Sequence, residues 1–152
     1  MTALLGLILM SSTIHAGARV PNSAVACPGA NRSPQLRWDD VPRGTQSFGI
    51  IMYDPDAAGG FYHWVAYNLP ASTREIPENV ALKDAQAGTN SRGDTHYDGP
   101  CPPPGNAHHY ITTLYALNVP HIGGLHLTGP QLEKAMAGHI VARTSLTGLY
   151  GR

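Results

Sequence analysis

The chain has 152 residues, enough for one domain with a sizeable core, so neither a disulfide nor a metal is needed merely to fold it. Ten lysines and arginines balance ten acidic residues, and charged residues make up only 13% of the chain. That leaves no field to hold a polyanion or an anionic membrane, and nucleic acid is not an expected partner.

The 17 glycines and 13 prolines are spread between apolar runs, with no repeat and no linker, a pattern of many turns rather than disorder. At the start, MTALLGLILM is apolar but far shorter than the roughly 20 residues that span a bilayer, so no transmembrane segment is expected. Two readings of it compete. Residues 7–12 can form a first strand after a disordered end at 1–6. Alternatively, residues 1–6 are the remnant of a signal segment, since Ala16 and Ala18 imitate a small-residue cleavage site, although no basic residue precedes the apolar run. The first reading gives a cytoplasmic protein, the second a periplasmic or secreted one. Cys27 and Cys101 both lie in proline- and glycine-rich loops. A disulfide between them needs an oxidising compartment, and spacing alone does not decide it.

Strand patterns follow at 47–53 (SFGIIMY), 62–69 (YHWVAYNL), 109–118 and 140–147 (IVARTSLT), each closed by turn chemistry, so the fold class is mostly β. Residues 71–93 are polar and irregular and are expected to cover one end of the strands. One helix is predicted at 131–137: Thr128 caps its start, Gln131 completes a capping box, Pro130 lies in its first turn and Gly138 ends it. Its apolar face of Leu132, Ala135 and Met136 is narrow, which predicts packing at the edge of the sheet core.

The chemistry-bearing residues gather at predicted strand ends. Asp54 and Asp56 flank Pro55 after one strand, and His63 lies early in the next across a glycine turn, so two acids and an imidazole can meet there. Alternation puts His63 on one face with Val65 and Tyr67, and His108 with Tyr110 on a face of their own strand. Ahead of that strand runs YDGPCPPPGNA (97–107). Proline fixes φ at about −65° and has no N–H, so this run is neither helix interior nor central strand but a stiff loop. Each feature has a plainer reading: Asp-Pro-Asp as a turn bonded to its own backbone, His63 as a hydrogen-bonded core residue, the proline loop as a connection. Only their combination favours a site.

That combination resembles the phosphatidylethanolamine-binding protein (PEBP) family, which includes the Raf kinase inhibitor proteins, and is closest in pattern to its bacterial and archaeal branch. The blocks are YDPDAA (53–58) with HWVAYNLPA (63–71) and YDGPCPPPG (97–105) with HHYITTLYAL (108–117). GANRSPQLRW (29–38) and GHIVARTSLTGLYGR (138–152) support them. The resemblance implies a PEBP-like fold: a large central antiparallel sheet packed on a smaller sheet, with short peripheral helices. It also implies a small anion-binding cavity at one end of the large sheet. Carried over by motif, Asp54, Asp56, His63, His108 and Tyr110 line that cavity, and Gly99, Pro100, Cys101, Pro102 and Pro103 form its wall. Imidazole and phenol would donate to phosphate oxygens, and a rigid wall loses little entropy on binding.

Three departures from the family pattern bear on the ligand. Ala58 stands where a proline is common, His109 where an arginine is common between the histidine and tyrosine, and the turn from Asp56 to His63 is short. The arginine's loss removes a fixed charge and a bidentate fork, although its position points away from His108 and Tyr110 and suits packing. The leading expectation is a non-catalytic binding module for a phosphate or phosphorylated head group, with no cofactor and no metal, and with a kinase or protease as the candidate protein partner. The competing classes are a small hydrolase, in which Asp54 or Asp56 positions His63 or His108 as a base, and a metal-dependent protein built on the same Asp/His cluster. No GxSxG elbow supports the hydrolase, and the spacings fit no dedicated metal motif.

Overall fold

In the computed structural model, which describes residues 6–152, the chain forms strands β1 (Ile8–Met10), β2 (Leu36–Asp39), β3 (Ser47–Asp54) and β4 (Phe61–Pro70). These are followed by β5 (Glu75–Ile76), β6 (Gln86–Ala87), β7 (His108–Leu117), the helix α1 (Gly129–Met136) and β8 (Ile140–Tyr150). A large sheet has the order β6-β4-β3-β7-β8 and a small one the order β1-β2-β5. Their pairings are antiparallel throughout.

The run SFGIIMY is apolar on both faces because both faces of β3 are covered. On one side Phe48, Ile50 and Met52 join Trp64 and Leu114, and these pack with Leu9, Leu36 and Trp38 of the small sheet. On the other, Ile51, Val65, Tyr67, Tyr115 and Leu117 pack with Leu132 and Met136 of α1. The mostly β, two-sheet architecture is the expected one, with the large sheet central.

The helix carries its capping box, with Thr128 accepting from the Gln131 N–H and the Gln131 side chain accepting from the Thr128 N–H. It begins at Gly129, earlier than the pattern suggested. It also packs over the sheet rather than at its edge: a Cβ added at Gly49 of β3 would lie 3.2 Å from the Met136 sulfur. Glycine on the central strand lets a narrow helix face approach closely. Residues 71–93 are not wholly irregular, because they supply β5 and β6, one edge strand to each sheet. Strand β8 runs on to Tyr150, since its pairing with β7 continues to His108 opposite Tyr150.

The predicted first strand is β1, paired with β2 from Ile8 opposite Asp39 to Met10 opposite Arg37. The expectation for residues 1–6 falls outside the described residues except at Gly6, which is exposed. Cys27 and Cys101 are joined in a disulfide, with Cα atoms 4.9 Å apart and a sequence separation of 74. No helix among the described residues is long and apolar enough to cross a membrane.

Candidate functional site

The end of β3, the start of β4, the proline loop and the start of β7 meet around a cavity of about 400 Å³. Asp54 closes β3 and is 2% exposed. Its Oδ1 accepts the backbone N–H groups of Asp56 (2.8 Å) and Ala57 (3.2 Å), and its Oδ2 accepts from Nδ1 of His108 at 2.7 Å. The Asp-Pro-Asp turn is therefore bonded to its own backbone and part of the site at once.

His63 arrives by an irregularity. Pairing between β3 and β4 steps from Met52–Trp64 to Tyr53–Tyr62, which leaves His63 as the extra residue of a β-bulge. Simple alternation placed His63 with Val65 and Tyr67. Instead Tyr62 joins their face, against Tyr53 and the helix layer, while His63 turns to Tyr110, with ring centroids 5.1 Å apart. Its Nδ1 donates to the carbonyl of Asp98 (2.6 Å), and the Asp98 N–H donates to the His63 carbonyl (3.0 Å). A carbonyl only accepts, so neutral His63 keeps its proton on Nδ1 and presents Nε2 bare.

His108 and Tyr110 share a face as alternation requires, their rings near-parallel at 6.4 Å. Tyr110 is 1% exposed, yet its hydroxyl makes no hydrogen bond among the described residues and is not among their sealed, unpartnered polar atoms. The same holds for Nε2 of His63 and of His108. Burial pushes the His63 imidazole below its ordinary value, against the pull of the Asp98 carbonyl and the Asp54 and Asp98 charges. Burial, reinforced by Asp54 and Asp56, pushes the Tyr110 phenol up, so it stays protonated and able to donate.

Of the residues read from sequence, Asp54, Asp56, His63, Gly99, Cys101, Pro102, Pro103, His108 and Tyr110 all line this cavity. Pro100 does not. Its carbonyl turns the other way, to accept the N–H groups of Ala26 (2.9 Å) and Cys27 (3.4 Å). The wall is anchored further by Gly99 N–H on Oδ1 of Asn31 (2.6 Å) and by Arg152 on the Pro102 carbonyl (3.3 Å). The meeting of two acids with His63 is also redistributed. Asp54 holds His108, while Asp56 holds His109, whose backbone N–H (2.7 Å) and Nδ1 (2.8 Å) both point to its Oδ2. Those two bonds, the backbone one first, hold Asp56 below the usual carboxylate range. His109 is thus a rim partner of Asp56 rather than a packing residue.

Phe61, Arg92 and Asp98 also line the cavity and were missed. Asp98 sits inside YDGPC and offered a signal, an acid at the mouth of the stiff loop. Arg92 lies in the polar segment and offered none. No group of three or more His, Cys, Asp or Glu side chains among the described residues is placed to hold a metal ion.

Two antiparallel sheets sharing one core, with a small cavity that gathers histidine, aspartate and tyrosine side chains where the large sheet's strands end, define the class of protein. The profile for phosphatidylethanolamine-binding protein matches residues 10–151, and the chain belongs to that family. YbhB of Escherichia coli (strain K12) is 38% identical over 159 residues, covering 93% of this chain and 98% of YbhB. A UPF0098 protein of Aquifex aeolicus is 38% identical over 95% of this chain and 88% of its own length. Among solved structures, E. coli YbcL, described as a new member of the mammalian PEBP family, superposes with a TM-score of 0.92 at 30% identity, covering 97% of this chain and 99% of that one. CT736 of Chlamydia trachomatis, described as a PEBP homologue, gives 0.89 at 34% identity over 97% and 98%.

Proposed function

We propose that the protein is a non-catalytic binding module that holds a small anionic ligand, a phosphate or phosphoethanolamine-like group, in the cavity at the strand ends. One observation supports this most. His63, His108 and Tyr110 line a single cavity and each keeps a polar atom without a protein partner among the described residues, while Asp54, Asp56 and Asp98 are already engaged by protein donors. Protonated imidazole and neutral phenol then donate to ligand oxygens. The lining holds no serine, threonine or lysine, and its cysteine, Cys101, is in the disulfide, so no hydroxyl of Ser or Thr, free thiol or amine is placed there as a nucleophile.

Regulation of a kinase or protease is the further part of this reading and rests on the family resemblance alone. The Cys27–Cys101 pairing favours the periplasmic or secreted alternative over the cytoplasmic one. A second reading, a hydrolase, draws on the Asp54–His108 pair, which presents a bare Nε2 as a base for water. Release of nitrophenol from nitrophenyl acetate or phosphate that depends on His108 would favour that reading.

The test of binding is a thermal-shift series with phosphate, phosphoethanolamine and nucleotides, after native mass spectrometry of the purified protein. A ligand specific to the native state raises the melting temperature with its excess over the dissociation constant. Failure of every anion to do so sinks the proposal.

A further inference from the structure

Resting on the anion-binding reading above, we infer that Arg92 is a specificity-determining residue of the cavity, and that it selects a dianionic phosphomonoester of a small organic group over a monoanionic phosphodiester. Arg92 is the only permanent cation among the residues lining the cavity. Its Nε donates to Oδ2 of Asp98 at 2.7 Å, and the Asp98 backbone is itself fixed on His63, its carbonyl accepting from Nδ1 and its N–H donating to the His63 carbonyl. This tether leaves Nη1 and Nη2 without a protein partner among the described residues, on a side chain that is 60% exposed. The guanidinium is held in orientation yet open toward a ligand.

The rest of the lining has no second permanent positive charge to offer. His63 and His108 have each committed Nδ1, so each contributes one atom, Nε2, which donates only when the ring is protonated. Tyr110 is neutral, and the remaining ionisable groups of the lining are carboxylates. A single ligand charge is answered by the phenol and by an imidazole that takes up a proton on binding. A second has Arg92 to meet it. A phosphomonoester loses its second proton at about pH 6, so it presents close to two charges at neutral pH, whereas a diester presents one. An intact phospholipid headgroup is a diester, so the inference points to a free phosphomonoester as the source of the anion. The cavity of about 400 Å³ exceeds what a bare phosphate fills, and Phe61, Pro102 and Pro103 supply an apolar side for an organic group.

Titration calorimetry at about pH 7.5, above that second ionisation, with phenyl phosphate and methyl phenyl phosphate on the wild type, Arg92→Gln and Arg92→Lys tests this. The wild type is expected to prefer the monoester by on the order of tenfold. Arg92→Gln should lose most of that ratio with little change toward the diester, and Arg92→Lys should retain part of it. Because the side chain is exposed, both variants should melt near the wild-type temperature. If Arg92→Gln keeps the ratio, or weakens both ligands by one factor, Arg92 is a tether for the loop and the inference is overturned. If the wild type binds both ligands equally, the inference fails while the anion-binding reading stands. If it binds neither, that reading fails as well.

Discussion

Nδ1 of His108 donates to Oδ2 of Asp54 across 2.7 Å, joining the first residue of β7 to the last residue of β3. The two strands are neighbours in the large sheet, but their regular pairing ends at Tyr53 opposite Ile111. The side-chain bond therefore continues the contact past the ladder, at the place where the cavity opens. Asp54 accepts three donors in all, and only one comes from His108.

Asp54→Ala should accordingly cost about 2–4 kcal/mol of stability, because a buried acceptor of three bonds disappears and the turn after β3 loses its anchor. His108→Ala should cost less, about 1–2 kcal/mol, since Asp54 keeps both backbone donors. Anion affinity should fall with both. Urea unfolding alongside calorimetric titration checks the order. A larger loss from His108→Ala than from Asp54→Ala would make His108 a packing residue first.

His63 sets the pH behaviour. Its folded pKa lies below the ordinary 6.5, so the unfolded chain takes up the proton first on acidification. The stability tied to neutral His63 is therefore fully present above the unfolded value and is lost as pH falls through the lower, folded one. A bound anion acts in the opposite sense, because it favours the protonated ring. Affinity should decline as pH rises from about 5.5 to 8, and binding should take up protons. Titrations in buffers of different ionisation enthalpy measure that uptake. A flat affinity profile with no uptake would assign the anion to Tyr110 and Arg92 instead.

The disulfide bridges a sequence separation of 74 and ties the cavity wall to the segment around Cys27. On the chain-entropy account, removing it costs about 4 kcal/mol. Urea unfolding of a Cys27→Ser/Cys101→Ser double variant checks the figure. Reduction should also weaken anion binding, because Cys101 is itself part of the lining.

Gly99 admits no side chain. A Cβ there would collide with the Ala24 carbonyl and crowd the Ala26 nitrogen and Oδ1 of Asn31. Two of these are backbone atoms that cannot turn aside. Gly99→Ala should destabilise by about 1–3 kcal/mol and lower anion affinity by displacing the wall. A variant with unchanged melting temperature and affinity would show that the loop has freedom its contacts deny it.

Sequence by itself determined the β character, the capped helix, the stiffness of the proline loop and most of the cavity's membership. The first three follow from local rules, and the cavity's membership from the motif blocks that carry the family resemblance. Proline forbids a ladder, Thr128 and Gln131 satisfy helix N–H groups, and alternation puts His108 beside Tyr110. Motif blocks supplied the rest of the family pattern, because they preserve the order in which strand ends deliver their side chains. What only the tertiary structure decided lies wherever a contact spans distant segments. The bulge that swings His63 away from Val65 is a pairing irregularity between two strands, and no periodicity in β4 alone encodes it. Division of labour between Asp54 and Asp56, one holding His108 and the other His109, depends on where β7 docks. Arg92 lines the cavity with its Nε on Asp98, six positions further along the same β6–β7 connection, and the fold of that connection is not written in either residue. An arginine in a polar stretch looks like any solvated charge until its partner is placed beside it.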